Sequence, residues 1–203
     1  MSMFITFEGG EGCGKSYQAR VLFNKLNKLA IPVVLTHEPG GTPVGERITR
    51  LLKWANKADI SPLTELLLFN ASRARLVEKI IKPALKKGET VISDRFTDST
   101  VAYQGYGRGL DLELIKAANN TATQGLKPDL TILLDIPVEE GLARKSSQKP
   151  DRFHQENLAF HNRIRKGFLK LSSEEPQRWL VIDARQSRAK ISQLIWEWVN
   201  KLV

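Results

Sequence analysis

Five short segments of the chain consist mainly of apolar residues and are bounded by glycine, proline or charged residues. None of the five alternates strictly between apolar and polar positions, and such uninterrupted runs are typical of strands covered on both faces. The pattern predicts buried strands at residues 3–7, 32–36, 90–93, 130–134 and 179–182.

The segments between these strands carry apolar residues at helical spacing. Predicted helices cover residues 15–29, 44–53, 62–86, 111–123, 138–145, 154–171 and 187–202. Alternating strands and helices predict an α/β fold in which helices wrap a parallel sheet through right-handed crossovers. The sequence shows no fixed-period repeat, low-complexity tract or flexible linker, so we expect residues 1–203 to form one domain.

The composition is that of a folded chain in a reducing compartment. Hydrophobic residues make up 41% and charged residues 26%, far from the composition of disordered proteins. The single cysteine, Cys13, cannot form an internal disulfide, which favours the cytoplasm. The first residues, MSMFITFEGGEG, contain neither a basic n-region nor a long apolar stretch, so we expect no signal peptide and no membrane association.

The chain is basic, with 31 lysines and arginines against 22 aspartates and glutamates and a formal net charge of +9. Such a surface favours anionic partners such as nucleotides, nucleic acid or acidic lipids, and solubility alone is an equally good explanation. Aromatic residues do not interleave with the cations, and the charge is spread along the chain. We therefore expect no nucleic-acid partner.

The first predicted strand runs into the sequence GGEGCGKS, which matches the GxxxxGK[ST] motif and precedes a helical pattern. Glycines let consecutive backbone N–H groups turn toward an anion, and the helix N-terminus adds partial positive charge. Lys15 supplies a full charge to the outer phosphates of a nucleotide, and the Ser16 hydroxyl is a candidate Mg²⁺ ligand. The predicted nucleotide-binding residues are Gly9, Gly10, Glu11, Gly12, Cys13, Gly14, Lys15 and Ser16.

Glu11 is unusual inside such a loop, because bound phosphates repel a carboxylate unless a cation or a hydroxyl lies between them. A sugar hydroxyl or Mg²⁺ would satisfy this side chain. The alternative is a solvent-facing carboxylate at a tolerant position. We therefore count Glu11 as a candidate ligand of both substrate and metal.

Charged residues follow the next predicted strands, and the carboxyl ends of parallel strands share one sheet edge, where ligands collect. Glu38 lies in the turn THEPGGT after the second strand, and Asp94 and Arg95 follow the third. The aspartate can stand near a metal ion, and the planar fork of the arginine can hold two phosphate oxygens. A surface Asp/Arg pair is the alternative. After the fourth strand, Asp135 is expected to cap the helix that begins at Pro137.

Two groups of residues are candidates for a base and sugar pocket. Ser99, Thr100, Tyr103 and Gln104 are spaced so that they project from one side of a short helix. Phe69 and Arg73 are four residues apart on the long predicted helix, giving a ring for stacking and a donor for a carbonyl edge. Core packing is the alternative for each group.

The stretch at residues 144–152, RKSSQKPDR, lacks apolar residues and carries several cations, so it is not part of the core. We expect a short mobile lid, whose closure over phosphates excludes water and stabilises charge on the transferring group. A solvated surface loop is the alternative.

These motifs follow the order of a known family, and the chain resembles bacterial thymidylate kinases over essentially its whole length. FEGGEGCGKS is similar to the phosphate loop of that family, THEPGGT to its EPGG signature, and SDRFTDSTVAYQGYGRG to its DR motif and sugar pocket. LLLFNASRARLVEKIIKPAL resembles its base-reading helix, and PDLTILLDIP, DRFHQE and VIDARQS continue the match. The resemblance implies a P-loop NTPase three-layer sandwich with strand order 2-3-1-4-5.

The resemblance also implies an activity and a donor site. Members of the family transfer the γ-phosphoryl group of ATP to dTMP with Mg²⁺, giving dTDP and ADP, and form homodimers. Lys15 and the loop amides would hold ATP, while Ser16, Asp94 and Glu11 would organise Mg²⁺. The chain resembles the members that carry arginines in the lid rather than in the loop, although Lys145 and Lys149 stand where further arginines would be expected. The implied catalytic residues are Lys15, Arg95, Arg144 and Arg152.

The acceptor site is implied in the same way. The residues that would bind dTMP are Glu11, Glu38, Phe69, Arg73, Arg95, Thr100, Tyr103 and Gln104. Arg95 would bind the dTMP phosphate and Phe69 would stack on thymine. Arg73 would donate to O4 of thymine. Tyr103 would leave no room for the 2′-hydroxyl group of a ribose.

Three other functions fit parts of this pattern. A different nucleoside monophosphate kinase, or a deoxynucleoside kinase, would share the phosphate loop and differ in the base pocket. A nucleic-acid-associated P-loop ATPase would use the basic charge. A nucleotide-binding module without catalysis would bind ATP and release no ADP.

Overall fold

The computed structural model describes residues 2–54, 60–145 and 150–202. Within these ranges one parallel sheet contains the strands β1 (Phe4–Glu8), β2 (Val33–His37), β3 (Thr90–Asp94), β4 (Leu130–Asp135) and β5 (Trp179–Asp183). Their order across the sheet is β2-β3-β1-β4-β5, which confirms the expected parallel sheet and its strand order. The central strand β1, which leads into the phosphate loop, pairs with β3 on one side and β4 on the other.

Every strand continues one residue beyond the carboxyl end predicted from apolar positions. The added residues are all titratable: Glu8, His37, Asp94, Asp135 and Asp183. Backbone pairing extends to them, as the register pairs Phe7 with Asp94 and Asp135 with Asp183 show. Apolar patterning cannot detect these positions, because their side chains are polar.

Helices fill the segments between the strands. Their bounds are α1 (Lys15–Lys28), α2 (Pro43–Trp54), α3 (Pro62–Leu76), α4 (Lys82–Lys86), α5 (Thr97–Thr100), α6 (Leu112–Thr123), α7 (Val138–Ala143), α8 (Leu158–Glu174) and α9 (Arg188–Val199). Side-chain caps set several starts, and α8 begins later than predicted because the Asn157 side chain accepts from the Phe160 N–H. A π-helical segment, Val101–Gly107, continues α5.

The helix predicted at residues 62–86 is divided by a second π-helical segment, Val77–Ile81, between α3 and α4. The Lys82 N–H donates to the carbonyl of Val77, five residues earlier. Pro83 follows immediately, and proline lacks an N–H and crowds the carbonyl four residues before it. The wider turn therefore lets the helical path continue past the proline.

Apolar side chains cover both faces of the sheet. Along β1, neighbouring side chains point to opposite faces, so that Ile5 packs in one cluster with Leu22 of α1 and Ile195 of α9. Phe4 packs in another cluster with Leu76 at the end of α3. The sheet is thus the middle layer of a three-layer α/β sandwich, as expected. No helix within the described ranges combines the length and apolar character needed to cross a membrane.

Candidate active site

The loop between β1 and α1 curls around the side chain of its own lysine. The Lys15 ammonium donates to three acceptors of the loop: the carbonyl oxygens of Gly9 (3.0 Å) and Gly10 (2.7 Å) and the sulfur of Cys13 (3.3 Å). Gly12 has a left-handed φ of 66°, and a Cβ atom there would collide with the backbone of Gly141 in α7. The loop is therefore a compact cationic cradle at the N-terminus of α1, as the motif predicts.

The beginning of α1 faces the end of β3. The Ser16 hydroxyl donates a hydrogen bond to the Asp94 carboxylate. Both groups carry oxygen atoms of the kind that Mg²⁺ prefers as ligands. Within residues 2–54, 60–145 and 150–202, no group of three or more His, Cys, Asp or Glu side chains could hold a metal ion. Ser16 and Asp94 fit Mg²⁺, which is usually held by one or two protein groups together with phosphate and water oxygens.

Arg95 reaches from the end of β3 to the phosphate loop. Its φ of 73° lies in the left-handed region, and its backbone N–H donates to the Phe7 carbonyl at 3.0 Å. Its guanidinium donates to four oxygens: the Gly9 carbonyl (3.2 Å), Ser99 Oγ (3.0 Å), the Tyr103 hydroxyl (3.2 Å) and Glu11 Oε1 (3.4 Å). Burial of Arg95 acts to lower its pKa. The nearby Tyr103 and acidic groups have the larger effect, so that the pKa lies above the ordinary value for arginine. The guanidinium is therefore a permanent cation beside the loop.

Glu11 is the counter-charge of this cation. Its carboxylate lies 3.4 Å from Arg95 and 2.5 Å from the Lys145 ammonium, and it accepts from the Tyr103 hydroxyl at 3.1 Å. Burial raises the pKa of Glu11, but Arg95, Lys15 and Lys145 together hold it well below its usual range. Because the side chain is only 10% exposed, the solvent-facing alternative is wrong. Cations surround this carboxylate in the loop.

Glu38 and Arg73 form a buried ion pair with 2.7 Å between the guanidinium and the carboxylate. Arg73 also donates to four further oxygens: Asn70 Oδ1 (3.4 Å), Asn119 Oδ1 (2.7 Å), Thr100 Oγ1 (2.8 Å) and the Phe96 carbonyl (3.2 Å). Glu38 Oε1 is buried and has no hydrogen-bond partner within the described residues. Burial raises the pKa of Glu38 against the opposing effect of Arg73.

A cavity of about 560 Å³ opens between the loop, the ends of β2 and β3, and α3. This volume is in the range of small-molecule sites. Aromatic rings form one side of it, with Phe69 and Tyr103 at 5.9 and 6.0 Å from the ring of Phe153. Gln104, also on its wall, donates to Glu65 Oε1 at 2.6 Å.

Most of the site residues predicted from the sequence line this one cavity. Those on its wall are Glu11, Gly12, Gly14, Lys15, Ser16, Glu38, Phe69, Arg73, Asp94, Arg95, Thr100, Tyr103 and Gln104. Gly9, Gly10 and Cys13 belong to the loop and are not among the residues that line the cavity. The individual roles of all these residues stay predictions.

The two arginines of the predicted lid bind partners outside the phosphate loop. Arg144 donates to the Ala184 carbonyl at 3.0 Å. Arg152 is buried, donates to the Leu52 carbonyl at 3.0 Å and lies 2.7 Å from the Glu65 carboxylate. Residues 146–149, the middle of the predicted lid, lie outside the described residues.

Sequence reasoning missed two contributors to the site, Lys145 and Glu8, and it counted a third, Ser99, with the base and sugar pocket. Lys145 was noted only as a substitute for arginine, yet it pairs with Glu11. Glu8 and Ser99 contact the segment that carries Arg95. The position of Glu8 at the carboxyl end of a strand was the available signal. The expectation that Asp135 caps a helix is wrong, because its carboxylate forms two hydrogen bonds with Arg165, at 2.7 and 2.8 Å, while Pro137 occupies the cap of α7.

Comparisons with known proteins agree with this geometry. The family described as thymidylate kinase matches residues 7–195. A thymidylate kinase of Dehalococcoides mccartyi is 55% identical over 203 residues, covering 100% of this chain and 98% of that protein. One from a Geobacter species is 50% identical over 99% of this chain and 92% of its own length. The crystal structure of thymidylate kinase from Ehrlichia chaffeensis, 36% identical, superposes with a TM-score of 0.78 over 100% of this chain and 99% of its own. Because the family match and the similar relatives extend over nearly the whole sequence, the chain belongs to the thymidylate kinase family.

Proposed function

We propose that this chain transfers the γ-phosphoryl group of ATP to dTMP, giving ADP and dTDP. The observation that carries the proposal is the convergence of two phosphate-binding features. The cradle around Lys15 and the guanidinium of Arg95 meet at the Gly9 carbonyl, to which both donate. One feature suits the donor nucleotide and the other suits the phosphate of an acceptor nucleotide.

The donor site uses the loop after β1. Backbone N–H groups of the loop and the Lys15 ammonium bind the phosphates of ATP. Mg²⁺, held by Ser16 and Asp94 with Glu11 nearby, supplies charge neutralisation on the phosphate oxygens when it is bound. The existing Ser16–Asp94 hydrogen bond brings the two proposed ligands together.

The acceptor site uses the cavity wall. Arg95 binds the dTMP phosphate through its planar fork, and Phe69 offers a ring face to thymine. Arg73 lies beneath the base pocket and shares one of its N–H donors with thymine O4. Tyr103, fixed between Arg95 and Glu11, closes the space beside the sugar. The other proposed contacts come from Glu11, Glu38, Thr100 and Gln104.

The chemical step needs no general base from the protein. A phosphate oxygen of dTMP attacks the γ-phosphorus of ATP, and the bond to the β–γ bridging oxygen breaks, leaving ADP. Because the acceptor is a phosphate oxygen that is already largely ionised near pH 7, no proton has to be removed first. The residues act by aligning the reacting groups and by neutralising charge, to which Lys15 and Arg95 contribute.

The lid contributes the remaining charge in this proposal. Lys145 is the described lid cation that already contacts the loop, through Glu11. Arg144 and Arg152 retain their proposed catalytic roles only if the lid moves, because each now binds a partner elsewhere. Closing the lid would exchange those partners for phosphate oxygens.

We further propose that the chain is a single kinase domain that works as a cytoplasmic homodimer. Exposed apolar residues support the dimer: Val44 and Leu51 lie one heptad apart on α2, and Leu63 and Leu67 lie one turn apart on α3. The two helices pack side by side, so these residues are candidates for one apolar face. The single cysteine supports the reducing compartment.

A coupled ADP-release assay across a panel of monophosphates tests the activity. We expect dTMP to give the highest kcat/KM among dTMP, dUMP, AMP and dGMP. Preference for another monophosphate would assign the chain a different acceptor. Absence of ADP with every monophosphate, although ATP binds, would leave a nucleotide-binding module.

A further inference from the structure

Glu8 forms a connection that none of the roles proposed above uses. It is the last residue of β1, next to Gly9 of the phosphate loop, and it is 0% exposed. Its Oε1 accepts from the backbone N–H groups of Phe96 and Ser99 at 2.8 and 3.2 Å. Its Oε2 bonds to the Ser99 hydroxyl at 2.5 Å. The carboxylate therefore ties the phosphate-loop strand to the segment that follows Arg95.

The connection continues to the Arg95 guanidinium. The Ser99 hydroxyl that donates to Glu8 also accepts from Arg95 Nη1 at 3.0 Å. Arg95 itself has a φ of 73°, a region that residues other than glycine seldom adopt. Such a conformation persists when its surroundings hold it in place. Glu8 holds both the backbone just after Arg95 and, through one hydroxyl, its side chain.

We propose that Glu8 is a positioning residue for phosphoryl transfer and acts through Ser99 and Arg95. One carboxylate sets the distance between the donor loop, which begins at the next residue, and the cation that binds the acceptor phosphate. This inference rests on the proposed role of Arg95. Alignment is most of the catalysis in phosphoryl transfer, and a displacement of about 1 Å can cost about 100-fold in rate.

Ser99→Ala is the sharpest test, because it removes the hydroxyl and leaves both backbone contacts of Glu8 available. We expect kcat to fall about tenfold to 100-fold and KM for dTMP to rise, while the Kd for ATP changes less than about threefold. Glu8→Gln should show the same split above pH 8, where Glu8 is ionised and glutamine exchanges one of its acceptors for a donor. Circular dichroism and urea unfolding establish that each variant is folded.

Thr6→Val is the matched control for loss of a buried hydrogen bond. Thr6 lies two residues before Glu8 on the same face of β1, is buried, and bonds to Thr131 Oγ1 at 2.9 Å. Suppose that Glu8 has only a structural role and that Thr6→Val and Ser99→Ala lower the free energy of unfolding by similar amounts. The two variants should then lower kcat equally. The positioning role predicts that Thr6→Val keeps kcat within about twofold.

A double-mutant cycle with Arg95→Ala separates this inference from the proposed function. If Glu8 and Ser99 act through Arg95, then kcat of the double variant Ser99→Ala/Arg95→Ala should lie within about twofold of kcat of Arg95→Ala alone. Additive losses would overturn the inference. A large effect of Arg95→Ala with no effect of Ser99→Ala or Glu8→Gln would overturn the inference alone. No effect of Arg95→Ala would overturn the proposed role of Arg95 as well.

Discussion

The guanidinium of Arg95 lies 3.4 Å from the carboxylate of Glu11, so that a cation after β3 faces an anion inside the phosphate loop. The contact joins the loops that follow two neighbouring strands of the sheet. Glu11 therefore holds the Arg95 guanidinium against the phosphate loop. The Glu11 carboxylate would repel a phosphate that approached Arg95 from its own side.

The contact between Ser16 and Asp94 predicts a specific magnesium dependence. Ser16→Ala and Asp94→Asn each remove one of the proposed oxygen ligands. We expect the Mg²⁺ concentration at half-maximal activity to rise about tenfold in each variant, measured as ADP release during a Mg²⁺ titration. Asp183→Asn, at the exposed end of β5, is the control and should match the native titration. An unchanged Mg²⁺ requirement in both variants would rule these residues out as ligands.

The buried pair of Arg73 and Glu38 predicts a large loss of stability when one partner is removed. Arg73→Met leaves the Glu38 carboxylate buried without its cation, which should lower the free energy of unfolding by roughly 3–5 kcal/mol in urea titrations. Adding Glu38→Leu removes the unpaired charge and should recover part of that loss. Arg75→Met, which breaks an exposed pair with Glu78, should leave the free energy of unfolding almost unchanged. Equal losses from the two arginine substitutions would contradict this account.

Glu8 predicts a pH dependence of stability. Burial raises the pKa of its carboxyl to about 8 from 4.5, with Asp98 adding to the effect and Arg95 opposing it. The folded protein then keeps a proton that the unfolded chain releases near pH 4.5. The Glu8 carboxyl group therefore stabilises the folded protein fully below pH 4.5, and this stabilisation is lost as the pH rises toward 8.

The measurement is the free energy of unfolding at intervals from pH 5 to pH 9. We expect Glu8→Gln to flatten the decline seen in the native protein, because glutamine does not titrate. Thr6→Val retains Glu8 and should keep the native slope. A native slope that survives in Glu8→Gln would show that another group is responsible.

The apolar residues of α2 and α3 predict how the homodimer can be broken. Leu67→Glu places a charge on the proposed face, where Leu67 is 56% exposed in the single chain. We expect the molar mass of this variant, measured by light scattering after size-exclusion chromatography, to be that of a monomer instead of a dimer. Leu29→Glu alters an equally exposed leucine at the end of α1 and should leave the dimer intact. Dissociation by both variants, or by neither, would count against this face.

The sequence was sufficient to place the residues whose positions follow from local rules. Lys15 and Ser16 sit where the loop motif puts them, and Asp94 and Arg95 meet them because parallel strands end at one edge of the sheet. Strand ends were predicted one residue short, since an apolar pattern stops before a polar residue such as Glu8.

Contacts between distant parts of the chain could not be derived from local patterns. Arg152 binds Glu65, 87 positions earlier, instead of approaching the loop. Asp135 binds Arg165, although its place before Pro137 indicated a helix cap. In both cases the partner lies on an element that only the tertiary fold brings near, and the burial of Arg152 and Glu65 makes their pairing necessary.

Arg95→Ala provides the most direct test of the claim that two nucleotide phosphates meet between the loop and the end of β3. Steady-state ADP release and equilibrium titration with ATP are measured on the same preparation, with Arg75→Ala as an exposed-arginine control. The account predicts that kcat with dTMP falls about 100-fold or more, while the Kd for ATP changes less than about threefold. Equal losses of turnover and of ATP affinity would contradict it.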